Sequence, residues 1–182
     1  MRHKREKGSS ILEFALVSTF LLVPLILVLA TVGMSILKSI HVTELSRDAG
    51  RMYARGVDFG QTSNVNLLLQ LADGLNITAG GGDGVIILSK IEATGNQQVV
   101  CAQRLVIGNA SLHASDFASP TKFTDAAEGM VDITDASADA SSFLNVLNMN
   151  TGDTAYVAET FFQGYSLQNL FTGSGMYVRS IF

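Results

Sequence analysis

Tryptophan is missing from this chain of 182 residues, cysteine occurs once and proline only twice. A single cysteine closes no internal disulfide. With three histidines scattered along the chain, it cannot build a Cys/His zinc cage either. Charge is also scarce: 15% of residues are Asp, Glu, Lys or Arg, against roughly 25% in ordinary soluble domains. The net charge of −4 argues against a nucleic-acid binder, which normally carries a basic face. What fills the space is apolar: 47% of the chain is hydrophobic, much of it in long runs, which excludes disorder throughout. The length fits one domain able to bury a core. Composition alone points to a membrane-attached protein.

The few charges are unevenly placed. Residues 1–8 (MRHKREKG) carry +3, whereas residues 9–182 hold eight basic and fifteen acidic groups, a balance of −7. Directly after the basic octet, Phe14 to Leu37 form 24 consecutive residues without a formal charge. A helix rising about 1.5 Å per residue needs about 20 such residues to cross the hydrocarbon layer. The run reads as a spanning helix at about 14–37. Basic residues before it and an acidic remainder after it place the N-terminus in the cytoplasm and residues 58–182 outside.

A cleaved secretory signal fits poorly, because the apolar core is too long and no small-x-small site follows it. The next stretch still reads as helix. Leu45, Ala49, Met52 and Tyr53 recur at helical spacing, Glu44–Arg47 and Asp48–Arg51 are opposite-charge pairs, and Gly56 is a natural stop. One helix of about 70 Å is expected from near Ser9 to about Arg55, its second half packed on something outside the membrane. Pro24 and Gly33 lie inside the span. They are either tolerated there or form a point of local melting.

Glu13 is out of place in this run. A carboxylate in hydrocarbon costs several kcal/mol, so it either reaches for the interface or has a partner. Its setting is a basic leader ending in Gly8, an acid at the fifth position counted from Ser9, and an apolar helix. That combination resembles the class III signal of type IV pilins and pseudopilins. The stretch GSSILEFALVSTFLLVPLILVL and the later ELSRDAGRMYARG are similar to TadE-type proteins of the tight-adherence (type IVc, Flp) pilus system. Ser9-Ser10 departs from the Phe or Met that opens main-branch pilins. The likeness covers about residues 1–57, and beyond it concerns layout only.

The resemblance implies cleavage after Gly8 by a prepilin peptidase and a methylated amine on Ser9. Glu13 of one subunit would be neutralised by the Ser9 ammonium of a neighbour. Burying either charge alone is expensive, so such a pair fixes the register between subunits. The major pilins of that system are much shorter, so a minor pilin or pseudopilin is implied. It would sit in the inner membrane and could join an extracellular pilus serving adhesion and biofilm formation. Its partners would be other pilin subunits, the peptidase and the assembly platform. The competing expectation is a single-pass anchored periplasmic binding or envelope-structural module that keeps its leader.

The remainder reads as a small α+β domain. Asn64–Leu75 has helical spacing, Thr78–Gly84 reads as a flexible loop, and Val85–Glu92 with Gln97–Ile107 form a hairpin around a turn at 93–96. Cys101, in its second strand, is a buried small hydrophobe or an intermolecular thiol. Ser111–Gly152 is rich in Ala, Ser and Asp. Its acidic part, 116–153, invites a calcium hypothesis but lacks the D-x-[DN]-x-[DN]-G loop, so a solvated acidic loop is expected. This segment is also the candidate for an outward binding surface, with a short helix at Ser142–Met149. Asp153–Tyr165 and Met176–Phe182 read as strands. Together they predict a four-stranded, mostly antiparallel sheet packed on the amphipathic half of the long helix, a pilin-like α+β layout. Asn76-Ile-Thr78 and Asn109-Ala-Ser111 match glycosylation sequons, which arise by chance. His3, His41 and His113 have no Cys, Ser or acidic partner at a recognisable catalytic spacing. No enzyme, metal or cofactor is expected.

Overall fold

The computed structural model describes residues 6–95, 98–164 and 175–182, and the chain parts into two compact units after Leu37. Residues 1–5 of the basic leader, with His3, lie outside the described residues. A single apolar helix followed by an antiparallel sheet makes the architecture α+β.

Helix α1 (Glu6–Ala54) runs through the first unit and opens the second. From Lys38 onward it has an inner side. Val42, Leu45, Ala49 and Tyr53, spaced i, i+3, i+7 and i+11, are buried, while Met52 sits at the flank and is only partly covered. Small residues on the same side let the sheet approach: Ser46 Oγ donates to Ala158 O at 3.2 Å. Gly56 ends the helix with φ +83°. Its N–H donates to Tyr53 O and that of Val57 to Met52 O, both at 3.0 Å, satisfying carbonyls with no further helical partner.

Helix α2 (Thr62–Leu71) starts two residues earlier and ends four earlier than the periodicity of 64–75 suggests. Asp73-Gly74 reverses the chain, and Leu75 is buried in the turn rather than on a helix. The expected loop 78–84 contains a two-residue ladder, β1 (Ile77–Thr78) with β2 (Gly81–Gly82). Strands β3 (Gly84–Ala93) and β4 (Val99–Gly108) form the expected hairpin. Asn96 and Gln97, at its turn, lie outside the described residues.

The main sheet has six strands, not four. Two short ones, β5 (Phe123–Asp125) and β6 (Met130–Val131), come from the segment read as a solvated loop. They join β4, and β7 (Thr154–Phe162) and β8 (Met176–Ile181) complete the antiparallel order β5-β6-β4-β3-β7-β8. Tyr165, the end of the expected strand 153–165, lies outside the described residues. The helix expected at 142–149 is a 3-10 turn at Ser141–Asn145.

Both faces of the sheet are covered. Ile86, Leu88, Ile107, Ala158 and Phe162 pack with the second half of α1 and with α2. Ile91, Val99, Cys101, Ala155 and Val157 face the other way and are covered by Phe117, Val131, Ala138, Phe143 and Met149 of the 109–152 segment. That segment is therefore in part a lid on the sheet, with several of its carboxylates and some apolar side chains, Ile133 and Val146 among them, turned outward.

Candidate functional site

The residues singled out from the sequence lie on the first stretch of α1. Its backbone is helical through Gly8 and Ser9, and Glu13 follows four residues after Ser9, about one turn. From Ser10 to His41 no residue is buried: Phe14 is 76% and Phe20 82% exposed. Two threonine hydroxyls in this stretch bond back to the helix. Thr19 Oγ1 donates to Ala15 O and Thr31 Oγ1 to Val28 O, each at 2.8 Å, so neither requires water. The helix continues unbroken across Pro24 and Gly33. It is long and apolar enough to cross a membrane. Glu13 interrupts that surface as an exposed carboxylate with no ion pair among the described residues.

A second polar grouping, missed in the sequence, lies under the 109–121 strap. Glu159 on β7 is buried to 1% exposure. It accepts hydrogen bonds from Ser115 Oγ (2.5 Å), Asp116 N–H (3.1 Å) and Tyr177 O–H (2.6 Å). The ring of His113 stacks on Phe161, 5.1 Å between centroids, and leans on Tyr177. Arg179 stands 3.8 Å from Asp116 and lies over the Phe117 ring. Burial, and then the hydrogen bond to Glu159, push the Tyr177 phenol well above the ordinary tyrosine range. Every strong donor around Glu159 comes from the strap or from β8, so the carboxylate ties three chain segments together. The available signal was the acid itself, in a strand whose alternate face is apolar.

Beside the end of α1 a cleft of about 260 Å³ is lined by Tyr53, Phe59, Lys90, Gln103 and Tyr156 among others. Several of its polar groups have partners close by. Tyr53 O–H donates to Gln103 Oε1 (3.0 Å), Gln103 Nε2 to Glu128 O (2.6 Å), and Lys90 Nζ meets Glu92 Oε1 at 2.7 Å. Burial pushes the Tyr53 phenol upward. Cys101 is fully buried, its thiol also pushed up by burial, with the Arg104 guanidinium 3.7 Å from Sγ.

The acidic segment uses its carboxylates locally. Asp125 accepts from Ala127 and Glu128 N–H, Asp132 from Thr134, and Asp139 from Ser141. Asp135 is pulled down to about 2, chiefly by Lys122 at 2.5 Å and then by Ser137. Among the described residues no group of three or more His, Cys, Asp or Glu is disposed to hold a metal. The calcium hypothesis thus finds no assembled ligand set there. No family model, curated protein or solved structure matches this chain.

Proposed function

We propose that this chain is a minor pilin or pseudopilin of a tight-adherence type IV pilus. It is inserted in the inner membrane by α1 and cut after Gly8 by a prepilin peptidase. It then joins or initiates a fibre through its N-terminal helix, alongside other pilin subunits and the assembly platform. The observation that carries this reading is Glu13, a carboxylate with no ion pair among the described residues, on a helix stretch that is otherwise uncharged from Phe14 to Leu37 and nowhere buried. Such a surface is satisfied by lipid before assembly and by neighbouring helices after it. An unpaired carboxylate among apolar helices costs several kcal/mol, which a cation of opposite sign offsets. After cleavage, the Ser9 ammonium of a neighbouring subunit is such a cation. The pairing selects one axial offset between subunits, because a slip of one turn leaves both charges buried and alone.

Two measurements test this. The N-terminal sequence and intact mass of protein extracted from its own envelope should begin at Ser9, with a methylated amine. A chain beginning at Met1 or Arg2 in a peptidase-competent cell would instead make it an anchored periplasmic module with its leader retained. A Glu13→Ala variant should insert and be cut normally, yet be absent from sheared fibres. Normal incorporation would end the pairing argument.

A further inference from the structure

We infer that the C-terminal end of α2 is a lipid-contacting corner of the second unit, with Leu71 seated in the headgroup layer and Leu67 at its outer rim. This rests on the reading of Phe14–Leu37 as a membrane span. Three observations lead to it.

The first is a pin. His41 Nε2 lies 2.9 Å from the carbonyl oxygen of Leu71, so the end of α2 is tied to one particular residue of α1. His41 comes four residues after Leu37, the last residue of the apolar run, which along a helix is about 6 Å. The polar layer outside the hydrocarbon is about 5–7 Å thick on each side. A group bonded to His41 is therefore held at headgroup depth by chain connectivity. The far end of α2 is tied elsewhere: Asn64 Nδ2 donates to Asp58 O at 2.6 Å, just past the end of α1. Hence α2 runs back alongside the second half of α1, and its last turn is the part tied to His41.

The second observation is the surface it presents. Leu67 is 52% and Leu71 39% exposed, one turn apart on the same side, while Leu68 points into the core. The whole of α2, TSNVNLLLQL, carries no charge. A solvent-facing helix of a domain normally has charged residues on its outer side. Leucine with Asn and Gln beside it suits the boundary between water and acyl chains.

The third is the charge at the same level. The Lys38 ammonium stands 5.6 Å over the Phe162 ring. A cation at this depth suits the phosphates of lipid headgroups.

Because the chain has no tryptophan, a single introduced indole reports its own surroundings. Leu71→Trp, with Leu67→Trp as a second variant, is reconstituted as full chain into vesicles of phosphatidylethanolamine and phosphatidylglycerol. Phe20→Trp in the span and Val146→Trp, 45% exposed on the 109–152 segment, serve as references. Leu71→Trp should emit to the blue of Val146→Trp, lose emission to lipids spin-labelled near the headgroup, and resist aqueous acrylamide. Emission and acrylamide quenching equal to those of Val146→Trp would overturn the inference. So would shielding from both acrylamide and labelled lipid, since protein would then cover the corner. If Phe20→Trp is quenched by lipid and Leu71→Trp is not, only this inference falls. If neither is quenched, the span reading falls with it.

Discussion

At the scale of single residues, Glu159 is the most consequential side chain of the second unit. It is buried, and its three donors come from a strap some 44 positions away in sequence and from the neighbouring strand. Glu159→Ala strands the Tyr177 hydroxyl and the Asp116 N–H, which should lower unfolding free energy by about 3 kcal/mol. Glu159→Gln keeps the shape and one acceptor, and should lose about half as much. Denaturant titration of both variants checks the order. Tyr177 and Tyr53 give a second expectation. Burial raises both phenols, and the hydrogen bond to Glu159 raises Tyr177 further. The folded chain thus holds these protons more tightly than the unfolded chain, whose tyrosines ionise near pH ~10. The stabilisation is complete below that value and is lost as pH climbs through the folded-state range. Denaturation midpoints should therefore fall between about pH 8 and about pH 11, less steeply in Tyr177→Phe. Glu13 was legible in the sequence because its anomaly is local, a carboxylate in an apolar run. Glu159 was not, because its meaning depends on strand register and on a strap that only the folded chain brings near.

At the scale of elements, the glycines at two chain reversals separate backbone strain from collision. Gly56 has φ +83° and open space around the position of a side chain. Gly56→Ala should lose about 1 kcal/mol, the conformational penalty alone. Gly129, between β5 and β6, has φ +68°, and a Cβ there would strike the Arg104 carbonyl. Its own carbonyl accepts the Arg104 N–H at 2.7 Å, so it cannot retreat without breaking that bond. Gly129→Ala should lose about 2–3 kcal/mol. Thermal melts of the two variants, run together, test the difference. The long helix, its stop at Gly56 and the β3–β4 hairpin could be read from periodicity and turn residues. The β5–β6 pair could not: strands of three and two residues carry no period, and an Asp-rich segment reads as loop whether or not it lies on a sheet. The double burial of the sheet was hidden for a related reason. Ala155, Val157, Glu159 and Phe161 alternate with Tyr156, Ala158, Thr160 and Phe162, and both sets mix apolar with polar residues, so alternation alone does not announce that both faces are covered.

At the scale of the whole molecule, the two units satisfy their apolar residues in opposite ways. The second closes a core on each face of its sheet, whereas the described part of the first buries nothing. A chain with this division should remain in the membrane pellet under alkaline carbonate and enter solution only with detergent. Release by carbonate alone would mean that α1 does not span. The α+β layout and the apolar helix were thus legible from composition and runs. How the second unit closes was not, since its 109–152 segment draws on scattered Ala, Phe and Met whose pairing no local pattern announces.

The burial of Cys101 has a practical reach. Its sulfur is fully enclosed and burial pushes its thiol pKa up, so the folded protein should resist thiol reagents. Any cysteine placed on α1 or on the strap becomes the single addressable point of the folded chain without removing the natural one. Distances between copies of the chain can then be measured by cross-links or spin labels whose origin is unambiguous.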